Sequence, residues 1–243
     1  MIDYNSELQK IYTPYYNELK NRVNELPCYT SNPLLMHVFD EYDDSTVKLL
    51  IVGKETNSWA KYLKDSLLLE DIIKEYKEFE LGHGYTSEKG KKRILCSPFW
   101  NFSRSFYCRL NSENNRKKKG FMWTNLSKFD TGLGERTPDI IFRFKEGFEL
   151  LRAEVGIIKP DVVLFMTGYD YNINIETYLN LSFENLDSKL KIEKLNDPFG
   201  VFPNNTFKIY HPNFLYRNKT ISHSEVLDKL LSFIRHNEFS NIK

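Results

Sequence analysis

The sequence sets side chains capable of chemistry at the ends of short apolar runs. VKLLIVG, Val47 to Gly53, passes directly into Lys54-Glu55-Thr56-Asn57-Ser58-Trp59, so a carboxylate follows a glycine that permits a tight turn. Trp123-Thr124-Asn125-Leu126 places an amide within an apolar stretch, VVLFM is followed by Thr167-Gly168, and FKIY is followed by His211-Pro212-Asn213-Phe214-Leu215-Tyr216-Arg217. A carboxylate can stabilise developing positive charge or take a proton from water. An amide donates and accepts together, and an imidazole can donate to an oxygen that is gaining negative charge. Singly, each has a plain structural use: Glu55 can cap a helix, Asn125 can close a turn, and His211 can bond a backbone carbonyl. Weight comes from their arrival together.

That arrival depends on the elements around them. Leu8, Ile11, Tyr12, Tyr15, Tyr16, Leu19 and Val23 have helical spacing, and Pro27 with Ser31-Asn32-Pro33 ends the segment. The β-branched apolar runs VKLLIVG and VVLFMTG read as buried parallel strands, and FMWTNL (Phe121 to Leu126) as another strand. A helix is expected from about Ala60 to Glu80. A second follows the N-cap signal Thr137-Pro138-Asp139, with Ile141, Phe144, Phe148, Leu151 and Val155 facing the core. Beyond a polar connection, KLKIEKL (Lys189 to Leu195) and TFKIYH (Thr206 to His211) read as strands. A capping box from Ser222 to Glu225 opens the last helix. Alternating strands and helices predict a mainly parallel sheet covered on both faces, in which ligands bind beyond the carboxyl ends of the strands. Glu55, Asn125 and His211 all fall on that edge.

The chain has 243 residues, 41% of them hydrophobic, which suits a single α/β domain over residues 1–243. A formal net charge of +1 identifies no acidic partner by itself. Two local runs are basic: Lys89, Lys91, Lys92 and Arg93, then Arg116, Lys117, Lys118 and Lys119. Three dispersed cysteines, Cys28, Cys96 and Cys108, form no CxxC pair, so neither a disulfide framework nor a zinc site is expected. The opening MIDYNSELQK lacks the apolar core of a signal peptide and no window is apolar enough to span a membrane, so the expected location is the cytoplasm. Neither GxGxxG nor GxxxxGK[ST] occurs, which argues against a nucleotide-phosphate site, and no GxSxG elbow occurs.

Taken in order, these strings resemble the uracil-DNA glycosylase superfamily. VKLLIVGKETN resembles its first motif, a strand running into GQDPY or a related string. FMWTNLSKF resembles the strand bearing the base-reading asparagine, KPDVVLFMTG the strand that follows, and IYHPNFLYR the second signature, written HPSPLS or HPAALLR. The blocks span Val47 to Arg217. The resemblance implies a three-layer α/β/α fold around a four-stranded, mainly parallel sheet, and the removal of a base flipped out of DNA. It implies Glu55 and His211 as catalytic groups and Asn125, Gly53 and Asn57 at the base. Phe99 or Trp100 of CSPFWNF would stack on it. Phe214, Leu215 or Tyr216 would act as a wedge in the duplex, and Arg217 would hold a phosphate. Lys91, Lys92, Arg93, Lys117, Lys118 and Lys119 would add a basic surface for DNA. Three scattered cysteines cannot hold the family's iron–sulfur cluster, and no metal or organic cofactor is expected.

Two departures bear on the base. Asn57 stands where the uracil-specific branch has a tyrosine that blocks 5-substituted pyrimidines, and Thr56 replaces the proline before it. Residues 58–96 also make a longer insertion than common members carry. Both point to a base larger than uracil, a pyrimidine with a bulky 5-substituent such as occurs in some phage DNA, and to a role in repair or antiviral defence. The competing expectation is a catalytically inactive protein of the same fold that binds only nucleic acid or a partner protein.

Overall fold

The computed structural model describes residues 3–65, 67–86, 90–112, 119–132, 140, 144–217 and 221–240. A six-stranded mixed sheet forms its centre, with strand order β2-β1-β3-β6-β5-β4. The strands are β1 (Leu49–Gly53), β2 (Phe121–Asn125), β3 (Val162–Phe165), β4 (Ser182–Asp187), β5 (Ile192–Asn196) and β6 (Asn205–Lys208). β2, β1, β3 and β6 run parallel, whereas β5 and β4 add on antiparallel beyond β6. Both the four strands implied by the resemblance and the five read from the apolar pattern are therefore too few. β4 lies in the polar connection that the apolar pattern passes over: its side chains are largely exposed, so it needs no alternation of apolar residues.

The helices are α1 (Tyr4–Asn21), α2 (Asp40–Asp43), α3 (Leu69–Phe79), α4 (Pro98–Leu110), α5 (Glu146–Ile158), α6 (Asn172–Tyr178), α7 (Pro212–Arg217) and α8 (His223–Ser240). Every residue of β1, β2 and β3 is buried, as expected for strands covered on both faces. On one face Thr124 meets Glu154 of α5, which in turn accepts from Tyr12 of α1. On the other, Phe121 packs against Tyr107 and Trp123 against Trp100, both from α4. Among the described residues no helix is long and apolar enough to cross a membrane.

The helix expected from Ala60 starts only at Leu69. Asn32 prevents the earlier start: its Nδ2 donates to Ala60 O at 2.6 Å and to Tyr62 O at 3.1 Å, while its backbone N donates to Lys61 O. Carbonyls taken from outside are not free for helical bonding, and Ser58, Ala60 and Lys61 have positive φ. The helix signal Thr137-Pro138-Asp139 and Ile141 lie outside the described residues.

β1 is flanked by β2 on one side and β3 on the other, so the chain reverses its winding direction around β1. The carboxyl end of a strand at such a switch point is where open α/β sheets bind ligands. GKETN occupies that end.

Candidate functional site

A cavity of about 560 Å³ opens at the carboxyl ends of β1, β2 and β6. Gly53, Glu55, Asn57, Phe99, Trp100, Asn125 and His211 all line it, and so do Lys54, Trp59, Phe79, Tyr85 and Trp123. Gly53 and Asn125 are register partners on neighbouring strands. The fit is close: a Cβ at position 53 would lie 2.3 Å from Asn125 Oδ1 and 3.4 Å from Phe99 Cε2. Only glycine leaves room there for the amide.

The loop after β1 is tied down residue by residue. Ser127 N donates to Lys54 O, and Leu126 N to Gly53 O. Thr56 Oγ1 donates to Asp130 Oδ2 at 2.6 Å, and Ser58 N donates to the same oxygen at 2.8 Å. Glu55 stands between these anchors with one carboxylate oxygen, Oε2, accepting from Tyr171 OH at 3.1 Å. Lys54 reaches across to Asp170 at 3.3 Å.

Asn125 is buried. Trp123 Nε1 donates to its Oδ1 at 3.1 Å, and its Nδ2 has no partner among the described residues. Trp123 is itself held at both backbone atoms by Tyr76: its N donates to Tyr76 OH at 3.1 Å, and Tyr76 OH donates to its O at 2.8 Å. β2 is one of the two edge strands of the sheet, and this hydroxyl satisfies groups that a neighbouring strand would otherwise pair.

His211 stacks on Phe99, with ring centroids 5.7 Å apart and planes inclined by 22°. Its Nδ1 accepts from Asn213 N at 3.2 Å, so the neutral ring carries its proton on Nε2. Burial, assisted by the nearby Lys54 charge, lowers its pKa to about 4. The site therefore offers a neutral imidazole donor, a fixed amide and a carboxylate around an aromatic box.

The two aromatic candidates differ in depth. Phe99 is half-buried beside His211, whereas Trp100 is almost wholly buried and packs on Trp123 at 5.0 Å, which makes it wall rather than face. In the wedge candidates, Leu215 needs correction: it is 1% exposed, because α7 turns its apolar side onto the core. Phe214 (44%) and Tyr216 (74%) are exposed, and Phe214 stacks on Tyr210. Arg217 ends α7 and is exposed. Of the basic runs, Lys91, Lys92 and Arg93 are exposed; Arg93 lies near the ring of Tyr85, a cavity residue. Lys119 pairs with Glu80 at 2.9 Å, and Lys117 and Lys118 lie outside the described residues.

Asp130, Phe79 and Tyr85 lie away from the strand ends, and Trp59 and Tyr171, which follow two of them, have roles set by contacts in space. Asp130 and Tyr85 sit in loops with no periodic signal. Neither a scan against protein-family models nor a search of curated proteins found a match.

Proposed function

We propose that the chain is a DNA glycosylase that hydrolyses the N-glycosidic bond of a flipped-out base and leaves an abasic site. The observation that carries this reading is the meeting of Glu55, Asn125 and His211 with the Phe99 ring around one cavity at a sheet switch point. In the proposed reaction the base enters the aromatic box and stacks on Phe99. The bond from C1′ to the base nitrogen breaks, and its electron pair leaves with the base. Glu55 stabilises the cationic sugar and takes a proton from the water whose oxygen bonds to C1′. The Nε2–H of His211 donates to the base oxygen on which negative charge collects. Because that ring is neutral near pH 7, it can donate without losing a proton to the leaving base.

Helices on both faces of the parallel strands fit the three-layer glycosylase-like arrangement that this reading entails. Asn57 is exposed on the cavity lining, and with the volume of the box this supports a base larger than uracil. Phe214, Tyr216, Arg217 and the exposed Lys91, Lys92 and Arg93 are the proposed contacts to the strand.

The test is base excision on oligonucleotides carrying uracil or 5-substituted pyrimidines, followed by alkali to break the strand at abasic sites. Strand breaks are expected on 5-substituted pyrimidines. They should fall by roughly two to three orders of magnitude in His211→Ala and by about as much or more in Glu55→Ala. Rapid excision of uracil with no activity on modified pyrimidines would overturn the reading of base size. Binding without breaks on every substrate would replace the enzyme with a nucleic-acid-binding protein.

A further inference from the structure

The wall of the cavity holds hydrogen-bond donors that have no acceptor among the described residues. An indole N–H can only donate, so the Asn125 atom 3.1 Å from Trp123 Nε1 must be the amide oxygen, and the amide is not free to turn over. The same oxygen lies over Gly53, where no Cβ fits. With its oxygen committed, Asn125 has its Nδ2–H to offer, buried and partnerless among the described residues. Trp59 lines the same cavity with a buried Nε1–H that also lacks a partner among them. His211 receives the Asn213 N–H on Nδ1 and presents Nε2–H. On the acceptor side, Thr56 Oγ1 already lies within hydrogen-bond distance of Asp130 and Ser31, Ser97 Oγ accepts from Trp100 N, and Glu55 has one oxygen bonded to Tyr171, its other being assigned to the water by the proposed reaction. Asn57 and Asn213 also line the cavity but are exposed, and Tyr85 is half-buried, so the buried part of the wall is the part that donates.

From this polarity we propose that the pocket selects bases of the cytosine class, whose reading edge presents two adjacent acceptors, O2 and N3. O2 accepts a hydrogen bond from His211 Nε2–H, and N3 accepts one from Asn125 Nδ2–H. Uracil and thymine carry N3–H at the second position, so that two donors would face each other in a water-poor box. Leaving both unpaired costs roughly a ten- to hundredfold preference. The inference rests on the glycosylase reading for the roles of Glu55 and His211, but the recognition it describes is a property of Asn125 and Trp123.

The test uses the full chain and pairs of oligonucleotides matched at C5, such as 5-hydroxymethylcytosine against 5-hydroxymethyluracil in one sequence. Release of free base is measured by chromatography. Binding is measured in parallel on the same pair built on 2′-fluoroarabinose, a sugar that resists hydrolysis. The cytosine member should win by tenfold or more in both. Asn125→Asp keeps an oxygen for Trp123 and turns the other into an acceptor, so its preference should swing toward the uracil member. Trp123→Phe frees the amide to turn and should bring the ratio close to one. Parity or a uracil preference in the unaltered chain overturns the inference while leaving glycosylase action intact. Cytosine-selective binding without base release upholds it and overturns the enzyme. A preference unmoved by Asn125→Asp and Trp123→Phe alike would place the selectivity elsewhere and overturn it as well.

Discussion

His211 combines two constraints seldom met on an exposed histidine: a backbone N–H aimed at Nδ1 and an aromatic face against the ring. Burial and the Lys54 charge oppose protonation, so the folded state holds the ring neutral down to about pH 4, whereas the unfolded chain takes up a proton near pH 6.5. The folded state is therefore at full advantage above pH 6.5 and loses this contribution as the pH falls from 6.5 toward 4. Its ring carbon-bound protons, followed by NMR and assigned by comparison with His211→Asn, are expected to titrate near pH 4; a midpoint near 6.5 would contradict the buried, Lys54-facing placement. At this scale the sequence was informative. Glu55, Asn125 and His211 could be picked out because each follows or ends an apolar run, and a strand end is a position a pattern can find. Tyr171 and Trp59 matter through distance in space, to the Glu55 carboxylate and within the aromatic box, and no spacing along the chain encodes that.

The loop from Lys54 to Leu63 shows how an element acquires a shape that its residue pattern does not suggest. A helix is expected from Ala60 onward, yet Asn32 takes the carbonyls of Ala60 and Tyr62 that its first turn would need, and Asp130 holds Thr56 and Ser58 just before it. These clamps come from two distant segments, so the local pattern loses to tertiary hydrogen bonding. The same competition explains β4, which pairs with β5 through its backbone while its side chains stay largely in solvent. β1, β2 and β3, apolar on both faces, were readable because burial itself writes their sequence. Asp130→Ala should release Thr56, Ser58 and Gly132 together. A loss of about 1–3 kcal/mol in urea unfolding is expected, and under the proposed reaction base release would fall as well, because Glu55 loses its neighbouring anchor. Unchanged stability and activity would show that the loop holds its form without the carboxylate.

Across the whole molecule, the face of the sheet opposite the cavity is fastened by a buried ionic network. Lys128 and Glu154 are in direct contact, both side chains fully buried, and Lys128 Nζ also donates to Thr124 Oγ1 at 2.6 Å. Tyr12 OH donates to Glu154 at 3.0 Å and accepts from Met36 N at 3.0 Å, so α1, α5 and β2 meet at this one cluster. Burial pushes the Lys128 pKa down, while its contact with Glu154 favours the charged form. Removing one partner strands the other in an apolar interior. Glu154→Leu should cost about 3–5 kcal/mol in denaturant unfolding, and adding Lys128→Met should restore much of it. Thr124 is one residue from Asn125 and points to the opposite face, so this network and the cavity share β2. Composition and alternation carry the α/β class, but a charged pair inside the core leaves no hydrophobic trace in the sequence.

The contact between Gly53 and Asn125 has a consequence for how this sequence can drift. Each residue occupies the space that would let the other change: a methyl group at 53 evicts the amide oxygen, and while the amide stays nothing larger than hydrogen fits at 53. Positions far apart in the chain thus share a single inheritance. A descendant that gives up glycine there must already have given up its asparagine, and with it the fixed donor of the pocket.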